Sequence, residues 1–214
     1  MNPKFFDILK ETTEAGIFDT WLHTNAQMLT EKNGEKLIKN GLKKLNISID
    51  ANTKETYELL RVGGKYEKLI KNVENFLKLK KKYNATYLRV RVSFVEQKEN
   101  FKEKKDFFEF WKSKEGINTI TFQRCMDVMP FEKKDPDSNL TEEQLDEKYK
   151  DDKPFYCFAP WETPTIEENG KITPCLKPVR EHNKSFYIGD LSKGDTIEQA
   201  WNSEKMNKLR NQHL

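Results

Sequence analysis

Between residues 44 and 50 the chain alternates strictly, Leu45, Ile47 and Ile49 against Asn46, Ser48 and Asp50. Successive side chains of a strand point to opposite faces, so this stretch predicts a strand with one apolar and one polar face. Further on the period changes. Tyr66, Leu69, Ile70, Val73, Phe76 and Leu77 fall on one face of a helix over 65–82, with Lys68, Lys71, Lys78 and Lys82 largely elsewhere. The rest of the first half can be read around these two elements. A helix is predicted over 3–15, where Asn2 can cap, Pro3 suits the first turn and Gly16 stops it. Strands are predicted over 17–24, 86–95 and 117–123. Further helices are expected around 31–40, closed by Gly41, over 54–60 before Gly63-Gly64, and over 101–114 before Gly116. In the last of these Phe101, Phe108 and Trp111 are the expected buried stripe.

Strands that start near 17, 44, 86 and 117 with helices between them are spaced as βα units, which implies an α/β fold with a parallel sheet, either open or part of a barrel. Polar residues gather at the C-terminal strand ends: Thr24 and Asn25, Ser48 and Asp50, Ser93, Gln123. In parallel α/β folds that rim binds ligands, although strand ends are also polar simply because they meet water. Ser48 and Asp50, set into an otherwise apolar strand, favour binding. Arg89 and Arg91 alternate with Val90 and Val92 and share one face, either to anchor an acidic substrate group or to lie under the helix at 65–82. After residue 125 the style changes. Residues 126–153 are an acidic stretch with few apolar side chains, read as a solvated linker. From 154 to 214 short turns and strands lead to an amphipathic helix carrying Ile197, Trp201, Met206 and Leu209.

Charge adds little. The 38 Lys+Arg against 35 Asp+Glu leave +3, too small and too mixed in sign to argue for nucleic acid. No apolar run reaches the ~18–20 residues needed to cross a bilayer, and the N-terminus lacks a signal-peptide pattern. With three cysteines and no paired framework, the expected location is the cytoplasm. The 14 Phe, 7 Tyr and 4 Trp point to a core built on rings.

Candidate chemistry concentrates at Cys157 and Cys175, on either side of a turn at Asn169-Gly170. A hairpin there can bring the sulfurs close. They can be ordinary buried thiols, part of a zinc site with His182 or His213, or two of the four thiolates of an iron–sulfur cluster. Cys125 reads as a core thiol and His23 as a structural strand residue. There is no phosphate-binding glycine loop, nucleophile elbow or defensible triad.

The order of these motifs resembles the radical SAM superfamily, in the branch with a C-terminal SPASM domain. Thr24-Asn25 matches the "TNG" that ends the family's third barrel strand, with Ala26 where the glycine usually stands. Leu45–Ala51 matches the "SID" fourth strand, and Glu55–Gly64 its "ETYExxRxGG" sequel. Cys157-Phe-Ala-Pro-Trp161 and Gly170-Lys-Ile-Thr-Pro-Cys175 resemble the opening of a SPASM domain, and Ile188-Gly189-Asp190 with Thr196–Arg210 its continuation.

The resemblance implies a partial (β/α) barrel, here about four of six βα units, with a small iron–sulfur tail. It also implies S-adenosylmethionine, a [4Fe-4S] cluster and an electron donor protein. In the family one electron cleaves the cofactor to a 5′-deoxyadenosyl radical, which abstracts hydrogen from a peptide or small-molecule substrate. Ser48 and Arg61 are the first candidates for cofactor contact, Arg61 through the methionine carboxylate. Asn25 and Asp50 come next on the same rim, with Gln123 near the adenine. Asp50 can equally cap the following helix. Cys157 and Cys175 are the candidate cluster ligands. The CxxxCxxC of the radical-generating cluster is missing, and two tail cysteines cannot complete a four-ligand set. The expectation is therefore a fragment, inactive alone, with an unpaired sheet edge that makes it aggregation-prone or in need of a complementing chain. The alternative is a non-catalytic α/β binding or scaffold protein derived from the same fold.

Overall fold

Four parallel strands in the order β1-β2-β3-β4 organise the first half: β1 Trp21–Thr24, β2 Lys44–Ser48, β3 Arg89–Glu96 and β4 Thr119–Arg124. The structure is a computed structural model that describes residues 2–125, 141, 144, 157–176 and 184–212. The acidic linker expected over 126–153 lies almost wholly outside the described residues, as do His182 and His213. The chain divides into two compact units, 1–127 and 128–214.

In the first unit each crossover between strands is helical, so the α/β reading with a parallel sheet holds. The helices are α1 Phe5–Glu14 ahead of β1, α2 Glu31–Lys39, α3 Lys54–Leu60, α4 Tyr66–Lys82 and α5 Lys104–Lys112. Thr30 and Thr53 cap α2 and α3, each accepting a backbone N–H three residues on. Leu45, Ile47, Val90, Val92 and Phe94 share one core with Leu37, Leu69, Val73, Phe76, Phe107 and Trp111 from the helices. The alternate strand residues, His23, Asn46, Ser48, Arg91 and Ser93, therefore form the other, polar face of the sheet.

The strands are shorter than the apolar pattern predicts. Pairing begins with Trp21 opposite Lys44 and Lys44 opposite Arg89, where Thr20 O accepts the Lys44 N–H at 2.9 Å and Lys43 O that of Arg89 at 2.8 Å. Residues 17–20 and 86–88 thus fall outside the sheet, and Phe18 is 83% exposed. The helix expected over 101–114 opens with a 3-10 turn at Phe101–Glu103, which shifts its phase. Phe107 and Trp111, four apart, form the buried stripe; Phe101 and Phe108 face solvent. Cys125 is exposed, not a core thiol.

The second unit contains α6 Ala159–Glu162 and a three-stranded antiparallel sheet of β5 Thr165–Ile166, β6 Lys171–Thr173 and β7 Gly189–Asp190. Helices α7 Ile197–Trp201 and α8 Glu204–Asn211 complete it, around Ile172, Ile188, Ala200 and Met206. Among the described residues no helix is long and apolar enough to cross a membrane.

Candidate functional site

The rim of the parallel sheet is built by turns that follow its strands. After β1 the chain turns sharply: Ala26 has φ +57 and is fully buried, the left-handed backbone that a glycine would adopt without strain. Thr24 Oγ1 accepts the Ala26 N–H at 3.1 Å and Asn25 Oδ1 accepts that of Gln27 at 3.1 Å. The Gln27 side chain then reaches the loop after α3. Its amide nitrogen donates to Tyr57 Oη and Lys65 O, both at 3.0 Å, and its oxygen accepts the Lys65 N–H.

That loop, Val62-Gly63-Gly64, has Gly63 at φ +81, and a Cβ on Gly64 would sit 2.9 Å from Arg61 O and from the Tyr57 ring. Between the two turns lies a cleft of about 600 Å³ lined by Asn25, Gln27, Tyr57, Arg61, Lys65 and Lys68 among others. Its lining holds three cations and no carboxylate. Burial, ahead of the opposing hydrogen bond from Gln27, pushes the Tyr57 hydroxyl's pKa up, so it stays protonated.

The structure brings Asn25 and Arg61 to this cleft and places Asp50 behind it. Asp50, 3% exposed with φ +66, pairs with the Arg61 guanidinium and accepts the Val95 N–H at 2.8 Å. It does not cap the following helix; Thr53 does. Ser48 ends β2 in register with Ser93, half-buried on the polar face. Gln123 is exposed near the end of β4, in register with Val95. Neither Ser48 nor Gln123 lines the cleft. Gln27, Tyr57 and Lys65 escaped the sequence reading. Tyr57 lies within the recognised "ETYE" stretch, but nothing in the pattern ties Gln27 to a loop so far along the chain.

In the second unit the expected hairpin is present. Glu167 N–H bonds to Lys171 O at 2.9 Å, and Gly170, at φ +86, makes the turn. Cys175 follows β6, its carbonyl accepting Thr173 Oγ1 at 2.8 Å. Cys157 comes just before α6, which Arg210 of α8 holds through Pro160 O at 3.0 Å. Both thiols are half-buried and outside any disulfide. Nearby, hydrogen bonds from Lys171 and Ser192 hold the Asp190 carboxyl down to about 2, which anchors β7 to the hairpin. Among the described residues no three His, Cys, Asp or Glu side chains converge as a metal site. The two thiols fit as part of an iron–sulfur ligand set, and the described residues do not complete it.

Residues 157–214 match the family model of the SPASM iron–sulfur cluster-binding domain. No curated protein matches the chain in sequence. Solved structures that resemble it include BtrN in complex with AdoMet and 2-DOIA, at 14% identity and a TM-score of 0.49, covering 99% of this chain and 61% of that one. An open conformation of BtrN is also similar, at 11% identity and a TM-score of 0.46, covering 100% of this chain and 73% of that one. The chain thus spans less than two thirds of the first of these. The SPASM part of the resemblance stands on the domain match, and the α/β part on the parallel sheet itself.

Proposed function

We propose that the chain is part of a radical SAM/SPASM iron–sulfur enzyme acting on a peptide or small-molecule substrate. The observation that carries this reading is the SPASM match over 157–214, which opens on Cys157 and takes in Cys175, and which follows in sequence a parallel-sheet unit bearing the "SID" and "RxGG" motifs in family order. Cys157 and Cys175 ligate the iron–sulfur cluster of the tail. S-adenosylmethionine binds at the rim. The cationic cleft takes its methionine end, where Arg61 keeps guanidinium nitrogens beyond the one bound to Asp50 and can meet a carboxylate without losing its anchor. Asn25 lines the same cleft, and Asp50 acts by positioning Arg61. Ser48 offers a half-buried hydroxyl to the ribose, and Gln123 lies toward the adenine. The one-electron chemistry for hydrogen abstraction would need, beside the bound cofactor, a CxxxCxxC cluster that this chain does not carry, so the chain is inactive alone; the residues here bind and orient.

The test is anaerobic reconstitution of the chain with iron and sulfide. Iron content and the visible charge-transfer absorption are then compared with those of Cys157→Ala and Cys175→Ala, and S-adenosylmethionine binding is measured by calorimetry with and without iron. Iron bound by the parent and lost in both variants supports the cluster assignment. Cofactor binding without any iron supports the non-catalytic binding protein instead.

A further inference from the structure

On the polar face of the sheet, His23, Asn46 and Arg91 stand side by side on three adjacent strands, in register. Arg91 Nε donates to Asn46 Oδ1 at 2.9 Å, and the guanidinium lies over the Trp21 ring, 4.5 Å from its centroid. An arginine is a donor only, so the Asn46 oxygen must face it. The Asn46 amide nitrogen then points the other way, 3.0 Å from His23 Nδ1 and 3.4 Å from Ser93 Oγ. His23 must accept there, which puts its proton on Nε2 and leaves the ring neutral. Burial first, and the Arg91 charge second, lower the His23 pKa, in agreement with that tautomer.

Arg91 is thus a fixed, half-buried cation; among the described residues its two terminal nitrogens have no hydrogen-bond partner and no carboxylate pairs with it. Arg89, two residues earlier and exposed, has no such scaffold among the described residues. Arg91 lies two residues before Ser93, which is in register with Ser48, so it sits roughly 7 Å along the strand from the proposed cofactor rim.

We infer that Arg91 is the anchor for a carboxylate-bearing ligand on the polar face of the sheet. This deepens the proposed function and rests on it for one point, that the ligand is the substrate. The planar edge formed by the two terminal nitrogens matches two coplanar carboxylate oxygens. Stacking on Trp21 and the Asn46 hydrogen bond fix the side chain before binding, which lowers the ordering cost of association. A single fixed cation beside a neutral histidine pairs with one carboxylate group, the far carboxylate of a probe such as glutarate staying in water, whereas phosphate concentrates its charge on one centre.

The experiment titrates the iron-free full chain with glutarate, with inorganic phosphate and with uncharged glutaramide, following the His23 ring by NMR. An anion on Arg91 offsets the guanidinium charge, so glutarate should give a saturable shift and raise the His23 pKa, with glutaramide silent. Arg91→Gln should abolish the response and Arg89→Gln should keep it. Arg91→Lys retains the charge without the fork and should bind about tenfold more weakly; it decides the matter if Arg91→Gln fails to fold. The inference is overturned if Arg91→Lys matches the parent, if glutarate gives no saturable response, or if phosphate binds as tightly as glutarate. None of these readouts depends on iron, so failure of the cluster assignment shows itself separately.

Discussion

Asp50 and Arg61 are joined by an ion pair that ties the end of β2 to the loop beyond α3, with the second carboxylate oxygen taken by the Val95 N–H. The aspartate side chain is 4% exposed and the arginine 34%, so the two partners are not equivalent. Removing Arg61 leaves a buried charge uncompensated; removing the Asp50 charge leaves a cation that can turn to water. Asp50→Asn, which tolerates the left-handed backbone, should cost about 2 kcal/mol, and Arg61→Leu more. Urea unfolding followed by circular dichroism checks the order. Equal costs would mean the pair is not seated as described.

Phe107 and Phe101 separate the observed helix phase from the one expected. Phe107 is fully buried and touches the rings of Phe94, Trp111 and Phe122, whereas Phe101 is 63% exposed. Phe107→Ala should cost about 3–5 kcal/mol and Phe101→Ala within about 0.5 kcal/mol. The two thermal midpoints, measured side by side, settle which phase holds.

Glu103 links acid sensitivity to the start of α3. Burial pushes its pKa up, but bonds from the Thr53 and Thr56 hydroxyls and the Asn52 and Thr53 N–H groups outweigh that and hold it below the ordinary 4.5. A carboxyl depressed by folding stabilises the protein fully above its unfolded pKa and loses that contribution as pH falls through the folded one. Stability should therefore decline below about pH 4.5 on this account. Glu103→Gln should flatten that part of the profile and be less stable at neutral pH. Unfolding midpoints of both proteins across the acid range provide the comparison.

Gly189 has no room for a side chain. A Cβ there would lie 2.6 Å from the Ala200 Cβ, forcing β7 and α7 apart. Gly189→Ala should cost about 1–3 kcal/mol, felt in the second unit. Limited proteolysis should show cleavage there accelerating while fragments of the first unit persist unchanged.

β1 is an edge of the described sheet, and its first residue Trp21, with Ile17 and Phe18 just before it, is about half exposed or more. Exposed apolar edges pair with other chains. Phe18→Lys should raise the concentration at which the chain stays monomeric, with little change in its unfolding midpoint, as sedimentation and thermal melts would report.

Strict alternation in β2 and the long apolar stripe of α4 were legible in the sequence because each repeats one period over enough residues to exclude the other. The "SID", "RxGG" and SPASM motifs could be read for a similar reason, as local strings whose spacing survives without coordinates. The phase of α5 was not legible. FFEFW is so dense in aromatics that several helical faces look equally apolar, and the 3-10 turn held by Glu103 chooses among them. Strand ends likewise depended on the partner strand, since a ladder cannot begin before both chains are present.

The residue types at the rim, Asn25, Ser48, Asp50, Arg61 and Gln123, are a property of the sequence alone, and so are the two cysteines of the tail. What each does with its hydrogen bonds belongs to the tertiary structure. Asp50 joins Arg61 rather than capping a helix, Gln27 holds a loop far along the chain, and Arg91 is fixed by Asn46 and Trp21 while Arg89 is not. Local pattern determines which face a side chain takes. Its partners come from strands and loops brought together only by the register of the sheet, and no periodicity within one segment encodes that.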